Sequence, residues 1–136
     1  MTAALVDHPL VSPAFAYRFD GPDRSIVISG DTARSDAVVR LAKGADVLVH
    51  EALWLPAVDQ IVQGAAHAAT LKQHILASHT AAEDCGRVAE AAGVKTLVLS
   101  HLLPPDNPLI TDQKWIDAAS KYFRGRVVVG KDLMEI

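Results

Sequence analysis

An α/β domain, a mixed β-sheet covered by helices, is the fold class that this sequence predicts. Three observations carry it. Short β-branched and aliphatic runs, Ser25–Ser29, Val47–Val49 and Leu97–Ser100, have the length and composition of buried strands. The segments between them repeat apolar residues at helical spacing. At the amino end, the turn signal Asp20-Gly21-Pro22-Asp23 joins two strand patterns and predicts a hairpin.

Taken in order, Thr2–His8 and Ala14–Phe19 read as strands separated by a loop holding Pro9 and Pro13, with Ser25–Ser29 completing the hairpin. Beyond Asp31, Val38, Leu41 and Ala42 share a helical face and Gly44 is the stop. A strand follows at Asp46–His50. Residues 57–76 read as one helix carrying a glycine, Gly64. Thr80-Ala81-Ala82-Glu83 has the form of a capping box, opening a helix with a buried stripe of Cys85, Val88, Ala89 and Ala92 that ends at Gly93. The strand Thr96–Ser100, a proline-rich loop at 104–108, a helix near 112–122 and two short strands complete the order β-β-β-α-β-α-α-β-α-β-β.

The chain has 136 residues, the length of one domain (1–136) able to bury a core. Half of its residues are hydrophobic, which argues against disorder. A net charge of −3 without a Lys/Arg cluster gives no broad phosphate-binding face. The one cysteine, Cys85, excludes an internal disulfide and a multi-thiolate metal site. No apolar stretch is long enough to span a bilayer and no signal-peptide pattern opens the chain, so the default expectation is a cytoplasmic protein.

Each predicted strand run stops on residues able to bind a metal or move a proton: Asp31, His50-Glu51 and His101. In open α/β sheets ligands collect beyond the carboxyl ends of strands, so these residues are expected to converge on one edge. Read singly, each also has an ordinary explanation. Asp31 suits a helix N-cap, His50-Glu51 a solvated strand end, and His101 a hydrogen-bonded structural histidine. His79 stands just before Thr80, where the helix dipole disfavours its protonated form and a carboxylate such as Glu51 would favour it. An exposed loop histidine is the plainer reading there and at His8. His67 and His74, seven apart on the 57–76 helix, read as surface residues, and Cys85 as packing.

The order of these residues says more than each alone. Val6-Asp7-His8, Ser29-Gly30-Asp31-Thr32, Val49-His50-Glu51-Ala52, Ser78-His79-Thr80 and Leu99-Ser100-His101-Leu102 together resemble the carboxyl-terminal part of the metallo-β-lactamase superfamily, in its tRNase Z and arylsulfatase-like branch. The resemblance implies half of an αββα sandwich and a metal-dependent hydrolase of ester or phosphodiester bonds. It implies a binuclear site, usually zinc, with manganese as the other fit for carboxylate and imidazole ligands. By position, Asp31 would bridge the metals, with His8 completing one shell and His101 the other. His79 would donate a proton to the leaving group and Glu51 would orient it.

The sequence also departs from that family. The motif His-x-His-x-Asp-His, which supplies most of the metal ligands, is absent, and Met1 stands just before the strand leading to His8. The expectation is a partial domain, inactive alone, with a non-catalytic α/β interaction module as the alternative. Only 22 residues lie between His8 and Asp31, too few for a tRNA-gripping arm, so a small-molecule ester or phosphodiester is expected and nucleic acid is not. A lone half exposes the sheet face that packs on its partner, carrying residues such as Ile26, Ile28, Val98 or Val128. A homodimer, or pairing with an amino-terminal half, follows.

Overall fold

The computed structural model describes residues 1–136. Strands β1 (Thr2–Val6), β2 (Ala14–Asp20), β3 (Ser25–Ile28), β4 (Val47–Leu53), β5 (Thr96–Leu103) and β6 (Arg126–Val129) form one sheet in chain order. The first three are antiparallel and the β3–β4, β4–β5 and β5–β6 pairs are parallel, so the sheet is mixed as expected. Between the parallel strands run α1 (Asp36–Leu41), α2 (Val58–Ile61), α3 (Ala68–Ser78), α4 (Ala82–Ala92) and α5 (Asp112–Ser120). No helix is long and apolar enough to cross a membrane.

Alternation along the strands sorts the sheet into two unlike faces. One face carries Val27, Leu48, Leu97 and Leu99, which pack with Val38 of α1, Cys85 and Val88 of α4, and Trp115 and Ala119 of α5 into the main core. A satellite core of Leu53, Val58, Val62 and Ile75 sits under α2 and α3. Register places Leu5 opposite Phe15, Tyr17 opposite Ile28, Phe19 opposite Ile26, and Val49 opposite Val98, all on the opposite face. There Leu5, Phe15, Tyr17, Phe19 and Ile28 remain exposed.

Two predicted elements differ. The 57–76 helix is interrupted: Leu55–Ala57 forms a 3-10 turn, α2 is one turn long, and the chain restarts as α3. The break centres on Gly64, whose φ of 82° lies in the left-handed region that glycine enters without a Cβ penalty. At the carboxyl end only β6 forms. It ends where the Gly130 amide donates to the Leu99 carbonyl at 2.8 Å, and the exposed residues beyond it pair with nothing in the sheet.

Candidate active site

The carboxyl ends of β3, β4 and β5 lie side by side, and the loops leaving them bring the candidate residues together. After β3 the chain turns at Gly30 with φ 62°, and a Cβ there would meet the Phe15 carbonyl oxygen at 2.7 Å. Only glycine fits both the dihedral and the space. The turn delivers Asp31 to the sheet edge as a half-exposed side chain, not as a cap: Ser35 caps α1, its hydroxyl accepting from the Ala37 amide at 3.2 Å.

His101 reaches the same place by another device. Along β4–β5 the register runs Glu51 with Ser100 and then Ala52 with Leu102, so His101 is the extra residue of a bulge. Its φ of 41° is unusual for a non-glycine residue. Bulges re-aim side chains, and this one points the imidazole Nε2 to 3.3 Å from Asp31 Oδ2.

Glu51 knits the loops into one unit. Its Oε1 accepts from the Thr32 amide at 3.2 Å, the Thr80 amide at 2.9 Å and His79 Nδ1 at 3.2 Å. Thr80 Oγ1 donates to the Thr32 carbonyl at 2.7 Å, and the Leu53 amide to the Thr80 carbonyl at 2.8 Å. The carboxylate is buried and its Oε2 has no partner within the chain. These bonds replace the predicted capping box. Thr80 is committed to Glu51 and Thr32, Ala81 takes the N-cap position, and the Glu83 carboxylate lies 2.6 Å from Lys121 Nζ.

The hydrogen bond to Glu51 raises the His79 pKa above its usual value near 6.5, with burial opposing and the charges of Glu51 and Asp31 assisting. With Nδ1 on Glu51, Nε2 is the nitrogen that can exchange a proton outward. Two further rings lie edge-on to His79: His8 at 5.5 Å and His101 at 5.8 Å between centroids. His8 Nδ1 is buried and unpaired.

His74, read from sequence as a surface residue, belongs to this cluster. Its ring meets His8 edge-on at 5.9 Å and its Nδ1 lies 3.2 Å from Ser78 Oγ. His67 stands at the N-cap of α3 with non-helical dihedrals, so the seven-residue spacing does not put the two histidines on one helical face. His67, by contrast, is exposed at the start of α3. His50 also departs from expectation. Instead of a solvated strand-end group it is fully buried, Nδ1 2.8 Å from the Glu51 carbonyl, and desolvation lowers its pKa. Cys85 packs against it as expected, its thiol donating to the same carbonyl at 3.1 Å.

Asp31, His8 and His101 have the donor chemistry of a zinc or manganese site, and the unpaired Nδ1 of His8 is an atom a ligand would satisfy. No three acidic, histidine or cysteine side chains are gathered closely enough to hold an ion. The three side chains do not form a closed shell.

Comparison with known proteins places this edge in context. No family model matches the chain. Ribonuclease Z of Mycobacterium tuberculosis is 34% identical over 133 residues, covering 98% of this chain and 46% of the relative. Ribonuclease Z of Mycobacterium sp. strain KMS is 32% identical over 133 residues, covering 98% of this chain and 44% of its own length. The chain spans about half the length of the curated relatives it matches. Among solved structures, the metallo-β-lactamase fold protein YhfI from Bacillus subtilis superposes with a TM-score of 0.70 at 22% identity, over 96% of this chain and 46% of that one. Human tRNase Z, short form, gives 0.57 at 23% identity, over 97% of this chain and 39% of that one. The homologues are thus ribonuclease Z and metallo-β-lactamase fold proteins, as the five motifs implied. They overturn the expectation of a small-molecule substrate with nucleic acid set aside, because ribonuclease Z and tRNase Z are named for RNA. The short His8–Asp31 interval, filled here by β2 and β3, was too narrow a ground for excluding it.

Proposed function

We propose that this chain, homologous to ribonuclease Z and folded like half of a metallo-β-lactamase sandwich, supplies the proton-transfer edge of a metal-dependent phosphodiesterase acting on RNA. The observation that carries the reading is the Glu51–His79 pair beside Asp31–His101, with Glu51 locked by buried amides from two different loops. A carboxylate held that rigidly fixes an imidazole in one orientation and stabilises its charged form.

Asp31, His8 and His101 would hold one side of a binuclear zinc or manganese centre, the remaining ligands coming from a segment bearing His-x-His-x-Asp-His. When bound, the metal supplies hydroxide at neutral pH. The chain's own residues then act on the other side of the reacting phosphorus. Oxygen from water joins phosphorus, the bond from phosphorus to a ribose oxygen breaks, and that oxygen leaves with the proton from His79 Nε2. Glu51 holds Nδ1 throughout and never reaches the substrate. The exposed sheet face of Phe15, Tyr17, Phe19 and Ile28 is the surface on which a second copy or an amino-terminal half packs. A cytoplasmic location accompanies this reading.

The test is cleavage of a short RNA in zinc or manganese by the chain combined with a polypeptide carrying the missing motif. His79→Ala should lower turnover by about a hundredfold or more, the scale of general acid catalysis, at unchanged metal content. Undiminished turnover, or loss of metal, removes the assignment. A second reading, an interaction module that keeps the fold without the reaction, draws on the absence of a closed set of three donors. Failure of the combined polypeptides to take up either metal favours it.

A further inference from the structure

We propose that the cleft opening beside His79 is the seat of the leaving nucleotide and that Arg34 holds that nucleotide's outer phosphate; this rests on the phosphodiesterase reading above. The cleft measures about 380 Å³. Leu53, Leu55 and Leu76 line it together with His79, and the exposed Arg34 stands with Asp84 at its mouth. Binding pockets for small ligands run from about 300 to 1,000 Å³, so this one takes a single nucleotide and not a folded stem.

The charges at the mouth are unequally committed. Arg87 Nη1 donates to Asp84 Oδ1 at 2.9 Å, and its guanidinium lies 3.5 Å from the centre of the Tyr122 ring. Asp84 is therefore satisfied from the α4 side. Arg34 Nη1 makes a looser ion pair with the same oxygen at 3.6 Å, beyond hydrogen-bond length. More than half of the Arg34 side chain is exposed, at 57%, and no hydrogen bond within the chain engages it. The two guanidiniums and one carboxylate leave a net positive charge, carried by a planar fork free to grip a phosphate with two parallel bonds.

The loop that carries Arg34 is fixed in place. The Thr32 amide donates to Glu51 and the Ala33 amide to the Asp7 carbonyl at 2.7 Å. One short segment thus presents Asp31 to the edge carrying His101 and, three residues on, Arg34 to the cleft that His79 also lines. A nucleotide whose ribose oxygen takes its proton from His79 carries one further phosphate, the next along the RNA. That phosphate meets Arg34 when the sugar and base lie against the lining leucines. The cleft has no Phe, Tyr or Trp for base stacking, so recognition is of phosphate more than of base.

Amide NMR titration of the 136-residue chain tests this without metal or cleavage. The probes are the 5′- and 3′-monophosphates of adenosine and cytidine, with adenosine and inorganic phosphate as controls. At least one isomer of each monophosphate should shift the amides of Ala33, Leu55, Leu76 and Thr80 saturably, adenine and cytosine alike. Arg34→Gln should weaken this binding tenfold or more while leaving the remaining spectrum in place. Shifts confined to another surface, equal shifts by adenosine, binding of inorganic phosphate as tight as that of the nucleotides, or an Arg34→Gln variant that binds as wild type would each overturn the proposal. Binding here together with absent RNA cleavage would instead count against the phosphodiesterase reading alone.

Discussion

Glu51→Ala should be among the most damaging single changes in this protein, although it removes no apolar packing. The side chain accepts the amides of Thr32 and Thr80, residues that are 0% and 1% exposed, so truncation strands two buried donors where little water can replace the carboxylate. An orphaned buried donor costs about 1–3 kcal/mol, giving about 2–6 kcal/mol for the pair. A domain's entire stability is about 5–15 kcal/mol, so the variant sits near unfolding. Glu51→Gln retains a carbonyl oxygen for the same amides and forfeits chiefly the charge assistance, about 1–2 kcal/mol. Urea unfolding followed by circular dichroism measures both. The glutamine variant should also lower the His79 pKa, read from the imidazole C–H shift against pH, because the Glu51 hydrogen bond is the main cause of its elevation. Equal losses for Ala and Gln, or an Ala loss below about 0.5 kcal/mol, would refute the view that this carboxylate holds the loops together.

Two further outcomes follow from buried groups and exposed faces. Burial lowers the His50 pKa in the folded state, so below about pH 6.5 the unfolded chain binds the proton more readily and stability falls as pH drops from there to the folded pKa; above 6.5 its full contribution is present. His79 acts in the opposite sense, its contribution complete below 6.5 and lost as pH rises through its raised folded pKa. Urea midpoints from pH 5 to 8 should therefore show an acid-side slope that disappears in His50→Leu; its persistence there would exclude His50 as the cause. Light scattering at micromolar concentration should report a dimer in which Ile28→Asp, placed between Tyr17 and Val49 on the face opposite the main core, shifts the population toward monomer. A monodisperse wild-type monomer counts against pairing through that face.

The strands were legible because their signal is local. Buried parallel strands must be apolar on both faces, and Val47–Val49 and Leu97–Leu99 announce this without help from distant residues. The convergence of Asp31, Glu51 and His101 was legible too, since parallel strands align their carboxyl ends whatever lies between them, whereas His50, expected with them, turns into the core and His79 arrives from the end of α3. The capping box was misread because Thr80 and Glu83 suit a cap equally well until Glu51 and Lys121, 29 and 38 residues away, compete for them and win. His50 and His74 were misplaced for related reasons. Which face a strand-end residue takes depends on register, and His67, at the N-cap of α3, does not share the helical phase that carries His74.

The sequence by itself determined the sheet, the glycine turn that delivers Asp31 and the residue types on the strand edge, because each depends on residues adjacent in the chain. Only the tertiary structure decided that Glu51 is a structural clamp as well as a partner for His79. It likewise decided that His101 is aimed by a bulge, that His74 joins the cluster, and that Arg34, only loosely paired with Asp84, stands at the mouth of a cleft. Those properties are set by which donors and charges meet across the fold. A buried carboxylate binds whichever amides arrive beside it, and no local pattern of residues records that meeting.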